Sequence, residues 1–351
     1  MAAHRYELAS DNTAPICPEA WRALEEANSS AAASYGEDPW TRRVCDLTRE
    51  IFETECEVFM VFNGTAANSL ALAQLCRSFH SVLCHEHAHI ETDECGAPEF
   101  FSGGSKLLPT RGANGKLDLG EIEATMQKQR DLHSPKPRAL SVTQSTELGT
   151  VYSRAELGAI ADFARARSLY LHMDGARFAN AVAALGCAPK NITWELGVDV
   201  LCLGGTKNGA GGGELVVFFN KELAREFDYR AKQAGQLASK MRFLAAPWAG
   251  LLRDGVWLRN AQRANAAAER LALSLAGLPY LKLAFPREAN ALFLHMPGQL
   301  VAGLHQCGWH FYKFLEPDIH RVMCSWAATD EMCDSFVADV KCLLERLPRD
   351  G

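Results

Sequence analysis

Long apolar runs, clustered basic residues and closely paired cysteines are all lacking in this 351-residue sequence. No stretch approaches 18 consecutive apolar residues, so we expect no segment that spans a bilayer. The first residues, MAAHRYELASDNTAP, lack the apolar run of a secretory signal, and none is expected. The formal net charge is −6 without a block of Lys or Arg, which argues against nucleic acid or a membrane surface as partners.

The 12 cysteines are scattered, and no two of them form a C-x-x-C pair. A secreted disulfide scaffold would be shorter and richer in cysteine, so we predict a reduced, cytoplasmic protein. With 48% hydrophobic and 22% charged residues, the composition is that of a globular protein. The length suggests about two domains.

Short apolar runs alternate with amphipathic segments through the first two thirds of the chain. The segment 153–168 is predicted to be a helix that opens with a capping box formed by Ser153 and Glu156. A helix is also predicted over 64–79. Strands are predicted at 56–62, 81–85, 138–145, 169–174, 198–205 and 213–219. This alternation predicts an α/β fold with a mostly parallel sheet.

The pattern changes after about residue 250. Helices are predicted over 261–278 and 330–347, with strands at 290–296 and 320–326. We therefore predict a large domain over 1–255 and a smaller α+β domain over 256–351.

The string His-Glu-His-Ala-His at 85–89 satisfies H-E-x-x-H, the pattern of zinc hydrolases. Two histidines four residues apart share a face only on a helix, and here the first ends the strand-like run SVLC. A break at Cys95-Gly96-Ala97-Pro98 leaves little length for a helix. We therefore do not expect a metal here, and polar loop histidines are the simpler interpretation.

An aspartate and a lysine follow two predicted strands. Asp174 ends the strand in LYLHMDGARFANA, where open α/β sheets bind ligands, and Lys207 lies in the glycine-rich CLGGTKNGAGGGE. Each has an ordinary alternative, since Asp174 could cap a helix and Lys207 could be a solvated loop residue. Together they are the minimum set for pyridoxal phosphate, namely a Schiff-base amine and a carboxylate for the pyridine nitrogen.

The segment FNGTAAN at 62–68 reads as a strand end, a Gly-Thr turn and a helix start. Backbone N–H groups there, with the Thr65 hydroxyl, make an anion site suited to the cofactor phosphate. An ordinary N-cap by Asn63 or Thr65 is the alternative. The nucleotide pattern G-x-x-x-x-G-K-[ST] is absent.

Several motifs in the same order resemble those of the L-threonine aldolases, especially the bacterial low-specificity threonine and phenylserine branch. They include ASDNTAPICPEAWRAL, SYGEDPWTRRVCDL, FNGTAANSLAL, HAHIETDECGAPEFFSGG, LHMDGARFANA, GGTKNG and IHRVMCSWAATDE, and they cover nearly the whole chain. The resemblance implies the aspartate-aminotransferase-like fold type I of pyridoxal phosphate enzymes, with a seven-stranded sheet. It also implies retro-aldol cleavage of β-hydroxy-α-amino acids to glycine and an aldehyde.

The resemblance implies roles for particular residues. Lys207 would bind the cofactor covalently and Asp174 would pair with its pyridine nitrogen, on which His89 would stack. Further cofactor contacts would come from Gly64, Thr65, Arg177 and Arg242, and substrate contacts from Ser10, Arg177 and Arg321. Tyr35 would lie near a neighbouring subunit's site, since relatives are dimers or tetramers, and a homotetramer is expected.

One residue departs from the family pattern. Glu147, in QSTELGTVY, stands where many relatives have a histidine proposed to contact the substrate hydroxyl. The base that takes the β-hydroxyl proton is therefore either His89, which we favour, or Glu147. Another pyridoxal phosphate lyase, a transaminase or a racemase remains the alternative, as does a non-catalytic protein with this fold.

Overall fold

The computed structural model describes residues 6–128 and 131–347. The outermost residues of the two predicted domains, 1–5 and 348–351, lie outside the described residues. No helix among the described residues is both long and apolar enough to cross a membrane.

Strands within the described residues form three sheets. They are β1 (Tyr6–Glu7), β2 (Glu57–Val61), β3 (His80–His85), β4 (Lys106–Thr110), β5 (Lys136–Thr143), β6 (Tyr170–Gly175), β7 (Val200–Leu203), β8 (Glu214–Phe218), β9 (Lys282–Leu283), β10 (Ala291–His295), β11 (Trp309–His310), β12 (Tyr312–Leu315) and β13 (Ile319–Met323).

Helices connect and cover these strands. They are α1 (Pro18–Ala27), α2 (Pro39–Phe52), α3 (Gly64–Leu75), α4 (His89–Thr92), α5 (Ala97–Phe101), α6 (Leu119–Gln127), α7 (Arg154–Ala166), α8 (Phe178–Leu185), α9 (Phe227–Gln233), α10 (Arg242–Leu252), α11 (Val256–Leu275), α12 (Gly298–Gln306) and α13 (Asp330–Leu344).

The large sheet has seven strands in the order β2-β8-β7-β6-β5-β3-β4. Its strands pair in parallel, except that β8 runs antiparallel to both of its neighbours. Both faces are buried: Leu215 and Val217 of β8 join one core, while Val216 and Phe218 join the other. Burial on both faces explains why the strands read as continuous apolar runs. The strand order and pairing confirm the predicted mostly parallel seven-stranded sheet.

A second, antiparallel sheet has the order β12-β13-β10-β9. The N-terminal segment joins it from far away in sequence, because β1 pairs with β11 and the backbone of Leu8 bonds to His310 and Met323. Leu8 is fully buried in the core that α11 and α13 form over this sheet. The division into 1–255 and 256–351 stays a prediction.

Most predicted elements are present with shifted ends. The helix predicted over 64–79 ends at Leu75, where Cys76 turns extended (φ −118°, ψ 151°). The helix predicted over 261–278 instead spans Val256–Leu275. The capping box of Ser153 and Glu156 is formed in both directions.

The H-E-x-x-H string does not lie on one helix. His85 is the last residue of β3 and His89 the first of α4, with a turn between them. His85 is engaged by the backbone, since its Nε2 donates to Gly112 O at 3.0 Å and its Nδ1 accepts from the N–H of His87 at 3.0 Å. The geometry that a zinc hydrolase requires of this pattern is therefore not formed.

Candidate active site

Two adjoining cavities lie at the carboxyl end of the parallel strands, where open α/β sheets bind ligands. The first has a volume of about 340 Å³ and the second about 420 Å³. Both are lined by Asn12, His89 and Lys207. A ligand in one cavity would therefore contact the same lysine as a ligand in the other.

Lys207 lies in the short turn that follows β7. Glu214 holds this turn, because its Oε2 accepts the backbone N–H of Gly205 at 2.6 Å. Burial raises the pKa of Glu214, while the N–H of Gly205 and groups of Thr206 lower it. Within 6–128 and 131–347 the Lys207 amine has no hydrogen bond or ion pair, which leaves it available to a ligand.

Asp174 is the fifth residue of β6 and is 3% exposed. Its Oδ1 accepts the backbone N–H of Ala176 at 3.0 Å, and its Oδ2 accepts the side-chain amide of Asn68 at 2.9 Å. It lines the first cavity together with Lys207. A buried carboxylate fixed by two donors is suited to pair with a cationic ring nitrogen.

The amino end of α3 opens on the first cavity. Asn63 caps the helix by accepting the N–H of Ala66 at 2.9 Å. Gly64 and Thr65 form the first turn and line the cavity, and a Cβ at Gly64 would meet no atom within 4 Å. This end of the helix therefore has room and free backbone donors for an anion.

His89 lies at the junction of the two cavities. Its Nδ1 lies 2.9 Å from Oε1 of Glu94, a residue that is 3% exposed. The hydrogen bond to Glu94 raises the pKa of His89, against the opposing effect of burial. Burial raises the pKa of Glu94, which His89 and Asn68 partly offset. The imidazole is thus held in one orientation by a buried acid.

Arg321, on β13, lines the second cavity. Its Nη2 donates to Ala9 O at 3.0 Å and contacts the Tyr312 hydroxyl, while its Nε is buried without a partner among the described residues. Burial, reinforced by the nearby Arg177 charge, lowers the pKa of Arg321 to about 10. An unpaired donor on a buried cation favours an anionic ligand such as a carboxylate.

Arg177 also lines the second cavity, but much of its guanidinium is already bound. Its Nε and Nη2 donate to Asp11 at 2.7 and 3.0 Å, and its Nη1 lies 4.0 Å from Glu147. Ser10 and Glu147 line the same cavity. The structure therefore brings Ser10, Glu147, Arg177 and Arg321 together around one space.

Arg242 and Tyr35 line neither cavity. Arg242 directs its Nε to the carbonyl of Ala27 at 3.2 Å. Tyr35 is 48% exposed, and the Lys232 ammonium lies 4.8 Å from its ring centre. In their own chain these two residues are separated from the other predicted site residues.

Sequence reasoning missed Asn68, Asp11 and Glu214 as site residues. A polar side chain in an otherwise apolar helix was the available signal for Asn68, since nearly every residue of α3 is buried. Asp11 was not predictable, because its partner Arg177 lies 166 residues away. Glu214 follows the glycine run, but only the folded turn brings its carboxylate back to Gly205.

Comparison with known proteins identifies the family. Residues 7–297 match the beta-eliminating lyase family. The chain is 54% identical over 344 residues to the low specificity L-threonine aldolase of Pseudomonas sp. (strain NCIMB 10558). The aligned residues cover 98% of this chain and 99% of the relative.

Solved structures agree with this match. The threonine aldolase of Leishmania major superposes with a TM-score of 0.91 at 27% identity, covering 97% of this chain and 99% of that one. At 14% identity, a ureidoglycine-glyoxylate aminotransferase from Bacillus subtilis shares the fold with a TM-score of 0.68, covering 97% and 92%. The predicted fold type I of the aminotransferase-like enzymes is confirmed. The chain therefore belongs to the beta-eliminating lyase family and, within it, to the low-specificity L-threonine aldolases.

Proposed function

We propose that this chain is a pyridoxal phosphate-dependent lyase that cleaves L-threonine, L-allo-threonine and related β-hydroxy-α-amino acids to glycine and an aldehyde. The observation that carries the proposal is the cavity shared by Lys207, Asp174 and the amino end of α3. It adjoins a second cavity in which Arg321 Nε has no partner from the described part of the chain. The 54% identity to a low specificity L-threonine aldolase supports the same reaction.

The residues around the first cavity fit pyridoxal phosphate. An amine without a hydrogen bond among the described residues, Lys207, can bind the aldehyde, and the buried Asp174 can pair with the ring nitrogen. The N–H groups of Gly64 and Thr65 can hold the phosphate. When bound, this cofactor supplies an electron sink for the pair released from the Cα–Cβ bond.

The second cavity would bind the amino acid. Arg321 presents its Nε to the substrate carboxylate, with Ser10 beside it. Arg177, tied to Asp11, adds positive charge without being free to move. Fixing the carboxylate orients the substrate, and this orientation determines which bond at Cα is broken.

His89 is proposed to take the β-hydroxyl proton on its Nε2, because Glu94 occupies its Nδ1. The imidazole must be neutral to do so, and the hydrogen bond to Glu94, which raises the pKa of His89, makes the neutral imidazole a stronger base. Glu147, which lies 4.0 Å from Nη1 of Arg177, is the alternative base.

The protein is proposed to be cytoplasmic and to assemble as a homotetramer. Tyr35 is proposed to serve a neighbouring subunit's site. Arg242 would reach a cofactor phosphate only in a neighbouring copy, since in its own chain it is directed to Ala27.

The test combines a spectrum with a product assay. The purified protein with pyridoxal phosphate should show visible absorbance and release glycine and an aldehyde from L-threonine without a keto acid. Lys207→Ala should lose borohydride-stable attachment of the cofactor, while Lys282→Ala on the distant β9 should retain it. Turnover that depends on a keto acid, or racemisation of alanine without glycine release, would replace this proposal with a transaminase or a racemase.

A further inference from the structure

Asn68 lies between two buried acids of the site. It belongs to α3, is 3% exposed and lines the first cavity. Its Nδ2 donates to Glu94 Oε1 at 2.8 Å and to Asp174 Oδ2 at 2.9 Å. One amide group thus uses both of its hydrogens on carboxylates from two different parts of the chain.

The orientation of this amide is determined by its neighbours. A flip would bring the amide oxygen against two acceptors, which is unfavourable unless one carboxyl is protonated. In the observed orientation Oδ1 is buried without a partner among the described residues. A buried carbonyl left unpaired is unfavourable, so the two bonds to the acids must outweigh that loss.

Glu94 connects the amide to the imidazole. Its Oε1 accepts both from Asn68 and from His89, while its Oε2 has a longer contact, 3.4 Å, with the Ser69 hydroxyl. The amide of Asn68 is therefore the group that joins the His89–Glu94 pair to Asp174. His89, Glu94, Asn68 and Asp174 form a continuous hydrogen-bonded chain, of which His89, Asn68 and Asp174 line the first cavity.

We propose that Asn68 is a positioning residue that holds the His89–Glu94 pair and the Asp174 carboxylate as one hydrogen-bonded unit. In this unit the acid at the ring nitrogen and the proposed base on the substrate side are fixed relative to each other. The part that concerns the ring nitrogen rests on the proposed function. The link from Asn68 through Glu94 to His89 does not, because it is present in the chain alone.

The charges around His89 determine the direction of the expected effect. Without the amide, ionised Glu94 would lose a donor while it remained buried, so its carboxyl would become easier to protonate. His89 would then lose part of the negative charge that raises its pKa. Asp174 loses the same donor, and its charge is another that raises the pKa of His89, so Asp174 is the one other charged group near His89 whose contacts change. The remaining charged groups that face His89 or share its cavities have no hydrogen bond to Asn68 among the described residues; they are His87, Asp93, Glu147, Arg177, Lys207, Glu214, Lys313 and Arg321.

The first measurement uses the protein without added cofactor. The titration of His89 is followed by NMR of ¹³C-labelled histidine, with the His89 signal identified by its loss in His89→Gln. Asn68→Ala should lower the His89 pKa by about half a unit or more. Ser69→Ala is the matched control on the adjacent residue, since it removes a contact to Glu94 only, and it should produce a smaller shift.

The second measurement uses the enzyme loaded with pyridoxal phosphate. In Asn68→Ala the acid limb of the kcat profile should move to lower pH by the same amount, because His89 becomes neutral at lower pH. We expect kcat to fall by about tenfold and KM by less than about threefold in either direction, since Arg321 is untouched.

If Asn68→Ala does not fold, Asn68→Ser keeps a small polar side chain that cannot donate to both acids. An unchanged His89 titration in the folded variant, or a larger shift in Ser69→Ala, would overturn the proposal. Failure of the proposed function would look different, because the wild-type protein would then neither bind the cofactor nor release glycine while the His89 shift remained.

Discussion

Replacing Asp11 by Asn is expected to destabilise the fold, because it leaves the Arg177 guanidinium buried against a neutral amide. The two side chains are 2% and 7% exposed, and two charged hydrogen bonds of 2.7 and 3.0 Å join them. Asn290 donates to the same carboxylate at 3.1 Å. Asp11 therefore links the N-terminal segment to the amino end of α8 and to the antiparallel sheet that contains β10.

The size of the effect follows from burial and distance. Two unit charges about 4 Å apart interact by about 4 kcal/mol at an effective dielectric constant of about 20. Removal of one partner of a buried pair typically costs about 3–5 kcal/mol. Because Glu147 lies 4.0 Å from the same guanidinium and partly compensates, we expect about 3 kcal/mol of lost unfolding free energy.

Urea denaturation at pH 7, followed by the fluorescence of the seven tryptophans, measures this loss. The double variant Asp11→Asn/Arg177→Met removes both charges and should recover much of the stability. A loss below about 1 kcal/mol in the single variant, or a double variant no more stable than the single one, would refute the reasoning.

The pH dependence of this contribution has a definite sign. Burial by itself raises the pKa of Asp11, but the charges of Arg177 and Lys207 outweigh it and hold the pKa below its usual value. Stabilisation from a carboxyl with a lowered folded pKa is complete above the unfolded value of about 3.9 and is lost as the pH falls through the folded pKa. The Asp11→Asn variant should therefore differ from the wild type at pH 7 and approach it in strong acid.

Three other predictions concern stability. Ser153→Ala should lower the free energy of unfolding by about 1 kcal/mol by removing the capping box with Glu156, as denaturation will show. Gly250→Ala should lower the free energy of unfolding by about 1–3 kcal/mol, because the new Cβ would lie 2.9 Å from the Ala20 Cα and push α1 away from α10. An unchanged free energy of unfolding would mean that the two helices move apart without cost. Burial lowers the pKa of His172 to about 4. The free energy of unfolding should therefore be highest above about pH 6.5 and fall by about 3 kcal/mol as the pH drops to about 4. His172→Gln should reduce this dependence of the unfolding free energy on pH.

The sequence predicted best where a pattern is local. The strand that carries Asp174, the helix start at Gly64 and Thr65, and the capping box at Ser153 each depend on neighbours a few residues apart. All three are formed, although the strand ends one residue later than predicted, at Gly175. The motif order sufficed to identify the family and the two cavities' principal residues. The roles of those residues stay proposals.

Other features depend on partners distant in sequence. The strand β4 went unpredicted because Pro109 interrupts its pattern, although Pro is tolerated on an edge strand such as this one. The helix α10 contains Pro247 and was missed for a similar reason. The bond from Asn68 to Asp174 spans 106 residues, and no period in the sequence indicates it.

The pairing of the N-terminal segment with the far end of the chain affects how the protein is made. Leu8 bonds to His310 and Met323, and the carbonyl of Ala9 positions Arg321. During translation Leu8 must wait until some three hundred more residues have left the ribosome before it meets its partners. Arg321, the proposed carboxylate-binding residue, is therefore held by Ala9 only after the segments carrying both residues have been synthesised.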